Sequence, residues 1–457
     1  MPHPDRTVLG QHRAIRSAIQ AQADLAPALG NQPLCFFICH ISDVVDVEAT
    51  QPAESNPVIP LHLLPRSWTG RGDSKLVQQF STHNVWVPRC PPKVQAIWID
   101  GWCRRLGSIS FSMEATFRRI ELKKLYPLAI SRGTMASSEN LFVTLTEGAH
   151  SGTGELSPAT GSAWTAERGE EQLRSFIGQA GLDDPAPHVV YAKMRELEID
   201  PPAMAALDVA LWDLLAKKAG LPLYQMLGLP RQSVPTSITI GINPPEVTRE
   251  RVPDILQRSG AKCLKIKLGS PEGRDHDKAH FEAAREAAAP YGPKLRVDAN
   301  GGWSVDEAKM MMSWLAERGV DYVEQPLVEG AESDLPAIFE NRPLPIFVDE
   351  SCRYSRDVPK FAHFVDGVNL KLMKCGGITE AVRIVATARA FGLKTMIGCM
   401  SESSIAIGGG AAIGALFDYI DLDSHLNLDP DCASGLGLEE GVVVPPVAPG
   451  HGASLCS

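Results

Sequence analysis

The sequence predicts an α/β chain built around a parallel barrel, with a smaller α+β domain before it. Three observations support this fold class. Eight short apolar segments alternate with helix-length segments over residues 233–424, as in a barrel of the (β/α)8 type. Residues 113–232 instead place two strand-like segments before several helical ones, which is typical of an α+β arrangement. Residues 1–112 show no sustained period of either kind.

Composition argues against several classes of function. The 457 residues are 44% hydrophobic and 21% charged, which is typical of a soluble globular protein, and the formal net charge is -10. A nucleic-acid partner is disfavoured because phosphate binding requires a basic surface. We expect no membrane partner, since no apolar run reaches the roughly 20 residues that span a bilayer. The ten cysteines, including Cys35 and Cys39, lack paired metal-binding spacing and indicate free thiols in a cytoplasmic protein.

The first 112 residues differ from the rest of the chain. They are rich in Pro, His, Trp and Cys, and their short apolar fragments never develop a period. Because the organised pattern begins at Met113, we interpret residues 1–112 as an N-terminal extension that is poorly ordered or non-native. We expect a chain that begins at Met113 to fold and to keep full activity, measured by circular dichroism and turnover. Loss of folding in that shortened chain would contradict the interpretation.

The α+β domain is predicted to begin with two strands, at residues 116–122 and 141–146. A polar loop that contains Arg132 joins them. The clearest helix covers residues 202–219, with a proline at its start and Gly220 just beyond its end. Strands first and helices afterwards predict a separate domain that precedes the barrel.

Eight predicted strands form the barrel, and each except the last is followed by a helix-length segment. They lie at residues 236–242, 263–268, 294–298, 320–324, 346–349, 367–372, 394–398 and 418–423. Barrel enzymes place their chemistry at the carboxyl ends of the strands, so the residues there are the candidate site.

Three consecutive predicted strands end in a carboxylate. Asp298, Glu324 and Asp349 each close an apolar strand and are separated by about one βα unit. Any one of them alone could be a solvated strand end. Three converging carboxylates, however, repel one another unless a cation neutralises them, and hard oxygen donors suit Mg²⁺. We therefore predict a Mg²⁺ site at these residues, with Asn300 as a supporting residue on the face of Asp298.

Lysines flank the strands that carry these acids. Lys265 and Lys267 alternate with apolar residues, so they share one face of their strand. A half-buried strand with a solvated face is the simplest interpretation of this pair alone. Two ammonium groups roughly 5 Å apart should lower a lysine pKa by about two units, which would provide a base near neutral pH. Lys371 is predicted to face Lys267 across the barrel mouth, where two bases could act on opposite faces of an α-carbon, as racemisation or epimerisation requires.

The last predicted strand carries two aspartates, Asp421 and Asp423. Their spacing points both side chains the same way, at a position that we expect to lie away from the metal-binding acids. One alternative is a solvated strand end. The other is a clamp for a substrate ammonium group, which would form charge-assisted hydrogen bonds with two carboxylates. The residues alone leave both alternatives open.

Together these motifs resemble the enolase superfamily, and within it the muconate-lactonising subgroup. The resemblance covers residues 113 to about 440. Its motifs are Lys-x-Lys, Asp-Ala-Asn, Glu-Gln-Pro, Asp-Glu-Ser and Asn-Leu-Lys-Leu-Met-Lys-Cys-Gly-Gly-Ile. It implies a modified TIM barrel of the (β/α)7β type with an α+β capping domain, which residues 425–457 would complete. Members are often homo-oligomers, which we also expect here.

The resemblance also implies roles for individual residues. Lys267 and Lys371 would be the acid/base pair, and Lys265 would support the charge that develops on a substrate carboxylate. Glu402 falls where members keep an active-site acid. The Mg²⁺ ligands would be Asp298, Glu324 and Asp349.

The two aspartates of the last strand are similar to those of the dipeptide epimerases, such as the L-Ala-D/L-Glu epimerases. In those enzymes they hold the free α-amino group of the dipeptide, so Asp421 and Asp423 would have that role here. Arg132 falls near the position where Glu-specific members place an arginine for the side-chain carboxylate.

The implied activity is Mg²⁺-dependent epimerisation of a dipeptide, such as L-Ala-L-Glu, at the α-carbon of its C-terminal residue. The reaction would be a two-lysine 1,1-proton transfer through an enediolate. Rival interpretations are o-succinylbenzoate synthesis, muconate cycloisomerisation and N-acylamino-acid racemisation, whose substrates lack the free ammonium group that Asp421 and Asp423 would bind. A barrel used only for binding is disfavoured, because the clustered charges add repulsion and nothing to packing.

Overall fold

A computed structural model describes residues 113–456 except 161, 181, 183 and 184. The predicted N-terminal extension, with Cys35 and Cys39, lies outside the described residues. The capping domain combines a three-stranded antiparallel sheet with helices. Its elements are β1 (Glu114–Ile130), β2 (Gly133–Glu147), β3 (His150–Leu156), α1 (Ala166–Ala180), α2 (Pro187–Glu196), α3 (Pro201–Ala219) and α4 (Leu223–Met226).

The β1–β2 hairpin is longer than the sequence predicts. Only Ser131 and Arg132 separate the two strands, so Arg132 does lie in the connection, but the long polar loop predicted around it is wrong. The register shifts between Lys123 and Leu128, and this segment contains Pro127, which cannot donate a ladder hydrogen bond. Strands are predicted from side chains that alternate between two faces, and the irregular pairing interrupts that alternation. The backbone nevertheless continues as one hairpin.

The eight predicted barrel strands are confirmed. They are parallel and follow chain order around the sheet, and a bridge between Thr236 and Ile420 joins the last strand to the first. The strands are β4 (Ser237–Ile240), β5 (Cys263–Lys267), β6 (Lys294–Asp298), β7 (Val320–Glu324), β8 (Ile346–Val348), β9 (Gly367–Lys371), β10 (Lys394–Gly398) and β11 (Tyr419–Asp421).

Each barrel strand except the last is followed by at least one α-helix. The helices are α5 (Pro245–Ser259), α6 (Arg274–Ala288), α7 (Val305–Ala316), α8 (Leu335–Phe339), α9 (Val358–Phe361), α10 (Leu372–Cys375), α11 (Ile378–Ala390) and α12 (Ser404–Ala412). Short 3-10 helices lie at Ala289–Tyr291, Glu332–Asp334, Gly414–Leu416 and Ser424–Asn427. In the part of the chain that the structure describes, no helix combines the length and apolar character needed to cross a membrane.

Helix α3 joins the two domains because it is apolar on nearly every side. It packs against the cap sheet on one side and against barrel elements on the other. Strand β3 crosses α3 so closely that a Cβ atom at Gly154 would overlap the backbone of Ala206. Only glycine fits that crossing.

Buried carboxylates of the cap accept hydrogen bonds from the first turns of two barrel helices. Asp208 of α3 accepts from the Thr379 N–H at the start of α11, at 3.0 Å. Glu155 of β3 accepts from the N–H groups of Ser403 and Ala406 at the start of α12, at 3.0 and 3.1 Å. Negative charge at a helix N-terminus is favourable, so these contacts fix the cap on the barrel.

The segment after the barrel consists of short strands and returns to the cap. The backbone N–H of Asp429 donates to Lys123 O, and that of His451 donates to Asp213 of α3. The strands are β12 (Ala433–Ser434), β13 (Gly437–Glu439), β14 (Val442–Val444) and β15 (Ser454–Leu455).

Candidate active site

Three buried carboxylates meet at the barrel mouth. Asp298 and Glu324 end β6 and β7, and Asp349 follows β8 directly. All three side chains are fully buried, and one oxygen of each lies within 4.8 Å of the others. Because their strands are neighbours in the sheet, parallel alignment brings the three acids to one point.

Amide side chains orient two of these acids. Asn300 donates its backbone N–H to Asp298 Oδ1 at 2.8 Å and its side-chain amide to Asp298 Oδ2 at 3.2 Å. Asn369 on β9 donates its amide to Glu324 Oε1 at 2.7 Å. Each acid therefore keeps its remaining lone pairs for another partner.

The chemistry of this donor set fits Mg²⁺. Burial, together with the negative charges of Asp298 and Asp349, raises the pKa of Glu324 to about 8. A divalent cation would relieve that repulsion. Within the described residues, Glu324 Oε2 and Asp349 Oδ2 contact only lysine ammonium groups, Lys265 Nζ at 2.8 Å and Lys371 Nζ at 2.7 Å. Three hard oxygen donors at one point match the ligands that Mg²⁺ takes in proteins.

We expect Mg²⁺ to raise the midpoint of thermal unfolding of the native protein and to leave that of a Glu324→Gln variant almost unchanged. A ligand at 100 times its Kd stabilises the folded state by about 2.7 kcal/mol. Thermal unfolding with MgCl₂ against NaCl of equal ionic strength measures the effect. Glu317→Gln is the control, since Glu317 is exposed and remote from the three acids. Equal Mg²⁺-dependent shifts of the unfolding midpoint in Glu324→Gln and Glu317→Gln would contradict the assignment of Glu324 as a metal ligand.

Lys267 and Lys371 enter the barrel mouth from opposite sides. Lys267 ends β5 and Lys371 ends β9, four strands away in a barrel of eight. The Nζ atom of Lys267 lies 2.6 Å from Asp298 Oδ2, and that of Lys371 lies 2.7 Å from Asp349 Oδ2. Burial opposes the charged form of Lys371, but the neighbouring carboxylates, Asp349 first, raise its pKa above the ordinary lysine value.

The environment of Lys265 differs from the sequence prediction. Its buried Nζ lies 2.7 Å from Asp421 Oδ2, 2.8 Å from Glu324 Oε2 and 3.4 Å from Asp298 Oδ2. Burial favours the neutral amine, yet these carboxylates raise the pKa of Lys265 well above its ordinary value. The predicted lowering by a neighbouring lysine is therefore wrong for Lys265, because three acids lie around its ammonium group.

Two adjoining cavities open at the mouth and share Lys267 and Lys371 in their linings. We call them the narrow cavity, of about 180 Å³, and the wide cavity, of about 840 Å³. Both are lined by Lys267, Lys371, Leu128, Cys399 and Met400. The narrow cavity is further lined by Ile238, Ile240, Leu426, Asp421 and Asp423, and the wide one by Arg132, Trp164, Asn300, Asp349 and Glu350.

The two aspartates of the last strand have unequal surroundings. Lys265 links Asp421 to Glu324, so the expectation that the aspartates lie away from the metal-binding acids is wrong. Asp423 accepts the Thr239 N–H at 2.6 Å and forms no ion pair with a described lysine or arginine. Burial and the charge of Asp421 raise the pKa of Asp423 to about 6.

Arg132 and Glu402 are both engaged with the protein. Arg132, at the tip of the β1–β2 hairpin, donates to Glu350 Oε1 at 2.7 Å and to Asn300 O at 3.1 Å. Glu402 is buried and lines neither cavity, and its Oε1 accepts the Met400 N–H at 2.7 Å. Burial raises the pKa of Glu402 to about 8.

Three further residues support the acids and were not assigned from the sequence. Asn369 stands two positions before Lys371 on the same strand face, so strand alternation could have indicated it. Lys374 contacts Asp349 through its Nζ and reaches the Asn369 carbonyl at 3.2 Å. Gln325 has a positive φ of 37°, and its side chain accepts the Asp349 N–H at 2.8 Å. A left-handed backbone at that position has no signal in the sequence.

Comparisons with known proteins agree with this site. Residues 113–228 match the mandelate racemase / muconate lactonizing enzyme N-terminal domain, and residues 248–457 match an enolase C-terminal domain-like family. A hydrophobic dipeptide epimerase of Roseobacter litoralis is 59% identical over 344 residues, which are 75% of this chain and 99% of that protein. An L-Ala-D/L-amino acid epimerase of Flavobacterium johnsoniae is 33% identical over 336 residues, which are 72% of this chain and 96% of that protein.

A solved structure gives the same relationship. The dipeptide epimerase of Enterococcus faecalis, complexed with Mg and the dipeptide L-Leu-L-Tyr, superimposes with a TM-score of 0.70 at 32% identity. The match covers 75% of this chain and 99% of that one. The chain therefore belongs to the enolase superfamily, in the mandelate racemase and muconate-lactonising enzyme group.

Proposed function

We propose that this protein is a Mg²⁺-dependent dipeptide epimerase that inverts the α-carbon of the C-terminal residue of a dipeptide, and that this C-terminal residue is apolar. The observation that carries the proposal is the placement of Lys267 and Lys371, which line the same cavities from opposite sides of the barrel. The similar proteins are named as dipeptide epimerases, which are isomerases acting on amino acid derivatives. That similarity supports the substrate class.

The two lysines act as complementary acid and base. The neutral amine of one lysine takes the α-proton, and the electron pair of the broken C–H bond stays on the substrate, delocalised toward its carboxylate. The ammonium group of the other lysine gives a proton to the opposite face, which inverts the configuration. The two lysines exchange protonation states in each turnover, so the enzyme is then ready for the reverse reaction.

The buried acids prepare the site for this transfer. Asp298 and Asp349 contact the Nζ atoms of Lys267 and Lys371, at 2.6 and 2.7 Å, and hold each Nζ in place. The three acids Asp298, Glu324 and Asp349 would hold Mg²⁺. When bound, the ion would supply positive charge that stabilises the charge developing on the substrate carboxylate.

Two features favour an apolar second residue over the glutamate of L-Ala-L-Glu. Arg132 is already ion-paired with Glu350, so a substrate glutamate would have to displace a partner held at 2.7 Å. An apolar side chain in the wide cavity needs no such exchange, and Trp164 offers it an aromatic surface.

In the narrow cavity, Asp421 and Asp423 would receive the α-ammonium group, which the rival acylated and cyclic substrates lack.

The experiment that tests this function is α-proton exchange in D₂O with Mg²⁺, followed by NMR over a library of L,L-dipeptides. We expect deuterium at the C-terminal α-carbon and formation of the second diastereomer, with L-Ala-L-Leu faster than L-Ala-L-Glu. Absence of exchange across the library, with Mg²⁺ bound, would contradict the proposal. Exchange of N-acylamino acids instead would favour the rival racemase.

A further inference from the structure

The narrow cavity has a positively charged outer wall. Lys124 from the irregular part of β1, and Arg251 and Arg258 from α5, line the same cavity as Asp421 and Asp423. Helix α5 follows β4 and packs on the outside of the barrel. This wall is therefore on the far side of the cavity from the barrel axis.

The arginines of this wall differ in their partners. Arg258 lies 3.6 Å from Asp254, which also accepts a hydrogen bond from the Tyr126 hydroxyl at 2.6 Å. Arg251 has only neutral partners in the part of the chain that the structure describes. It donates to the side-chain oxygen of Asn243 at 3.0 Å and lies over the ring of Tyr126, 5.1 Å from the centroid. Arg251 thus forms no ion pair with a carboxylate of the described residues.

Lys124 is half-buried and forms neither an ion pair nor a side-chain hydrogen bond with the described residues. Burial lowers the pKa of Lys124, and the nearby Cys399 thiol and the carboxylates of Asp423 and Glu402 offset that effect only in part. A partly desolvated ammonium group without a partner is unfavourable, unless a ligand supplies the missing negative charge.

We propose that Lys124 and Arg251 form a subsite for the side chain of the first residue of the dipeptide, and that this subsite selects acidic over basic side chains. The inference rests on the proposed function, because it takes the α-ammonium group to lie at Asp421 and Asp423. The first side chain then extends toward the outer wall. There a carboxylate gains charge-assisted hydrogen bonds, whereas a lysine or arginine side chain meets two like charges.

The remaining walls of the narrow cavity agree with this selection. Leu125, Ile238 and Ile255 also line it, so the methylene groups of a glutamate side chain have apolar surface to contact. Small uncharged first residues gain neither the attraction nor the repulsion, and they are accepted with intermediate efficiency. The second residue, in the wide cavity, is unaffected by the outer wall. The preferred substrate class is therefore an acidic first residue joined to an apolar second residue.

The test compares kcat/KM for three dipeptides, L-Glu-L-Leu, L-Ala-L-Leu and L-Lys-L-Leu, in the native protein. We expect L-Glu-L-Leu to exceed L-Lys-L-Leu by about tenfold or more, and the ratio to fall as salt is added. Lys124→Met and Arg251→Gln should each reduce that ratio severalfold. Lys123→Met is the matched control, since Lys123 is the exposed neighbour that lines neither cavity, and the ratio should stay at its native value.

Two results would overturn the inference. Equal kcat/KM for L-Glu-L-Leu and L-Lys-L-Leu in the native protein would do so without requiring any variant to fold. If the kcat/KM ratio of L-Glu-L-Leu to L-Lys-L-Leu keeps its native value in both Lys124→Met and Arg251→Gln, other residues select the first side chain. Turnover of L-Ala-L-Leu separates this inference from the proposed function. Its absence contradicts the function itself, whereas its presence without any effect of first-residue charge contradicts only the subsite.

Discussion

Replacement of Lys371 by methionine is expected to reduce dipeptide epimerisation by about 10²- to 10⁴-fold, the usual contribution of a positioned acid or base. Methionine keeps the length and most of the volume of the side chain but cannot carry a proton. Asp349 retains Lys374 as a cationic partner in this variant, so its carboxylate is not left without a counterion. The loss should therefore reflect proton transfer rather than collapse of the metal-binding acids.

The matched substitution is Lys267→Met on the opposite side of the mouth. Asp298 keeps Lys265 at 3.4 Å in that variant. Each single variant should stop epimerisation yet keep α-deuterium exchange for one of the two diastereomers, because one base still reaches one face of the α-carbon. The two variants should exchange opposite diastereomers when exchange is followed by NMR in D₂O. Retained Mg²⁺-dependent thermal stabilisation shows that the fold persists. Full epimerisation in either variant would contradict the two-lysine assignment.

The sequence was sufficient to predict the site residues whose positions depend on strand periodicity. Alternation places Lys267 at the end of β5, and the spacing of one βα unit places Asp298, Glu324 and Asp349 at three adjacent strand ends. Because a parallel barrel aligns all its strand ends, position along each strand determines which side chains meet. The fold class and the cluster of three acids follow from that rule.

The sequence was insufficient where a side chain has partners from distant strands. The pKa of Lys265 depends on three acids from β6, β7 and β11, and strand alternation reveals only the neighbouring lysine. The ion pair between Arg132 and Glu350 joins positions 218 residues apart, on two domains. Distances of this kind follow from how the cap lies on the barrel, which local patterns do not encode.

Asp423→Asn is expected to lower kcat/KM for dipeptides by at least about 30-fold, since loss of one partner of a buried charge pair costs about 2–5 kcal/mol. Asp421 already forms an ion pair with Lys265 at 2.7 Å, whereas Asp423 forms none with a described lysine or arginine and is therefore the aspartate that is free to attract an ammonium group. Asparagine has nearly the same shape, and its Oδ1 can still accept the Thr239 N–H. The variant should therefore fold and should lose the attraction alone.

The pH dependence of kcat/KM distinguishes this role from a structural one. The pKa of Asp423 is raised to about 6 by burial and by Asp421, and only the ionised form above that pKa attracts the ammonium group. In the native protein, kcat/KM for L-Ala-L-Leu should fall as pH decreases through about 6, and Asp423→Asn should lack this limb of the profile. N-acetyl-L-Ala-L-Leu is the control, because without an ammonium group it should react at similar rates with both proteins. Unchanged dipeptide turnover in Asp423→Asn would make Asp423 an ordinary strand end, and it would shift the substrate assignment toward acylated amino acids.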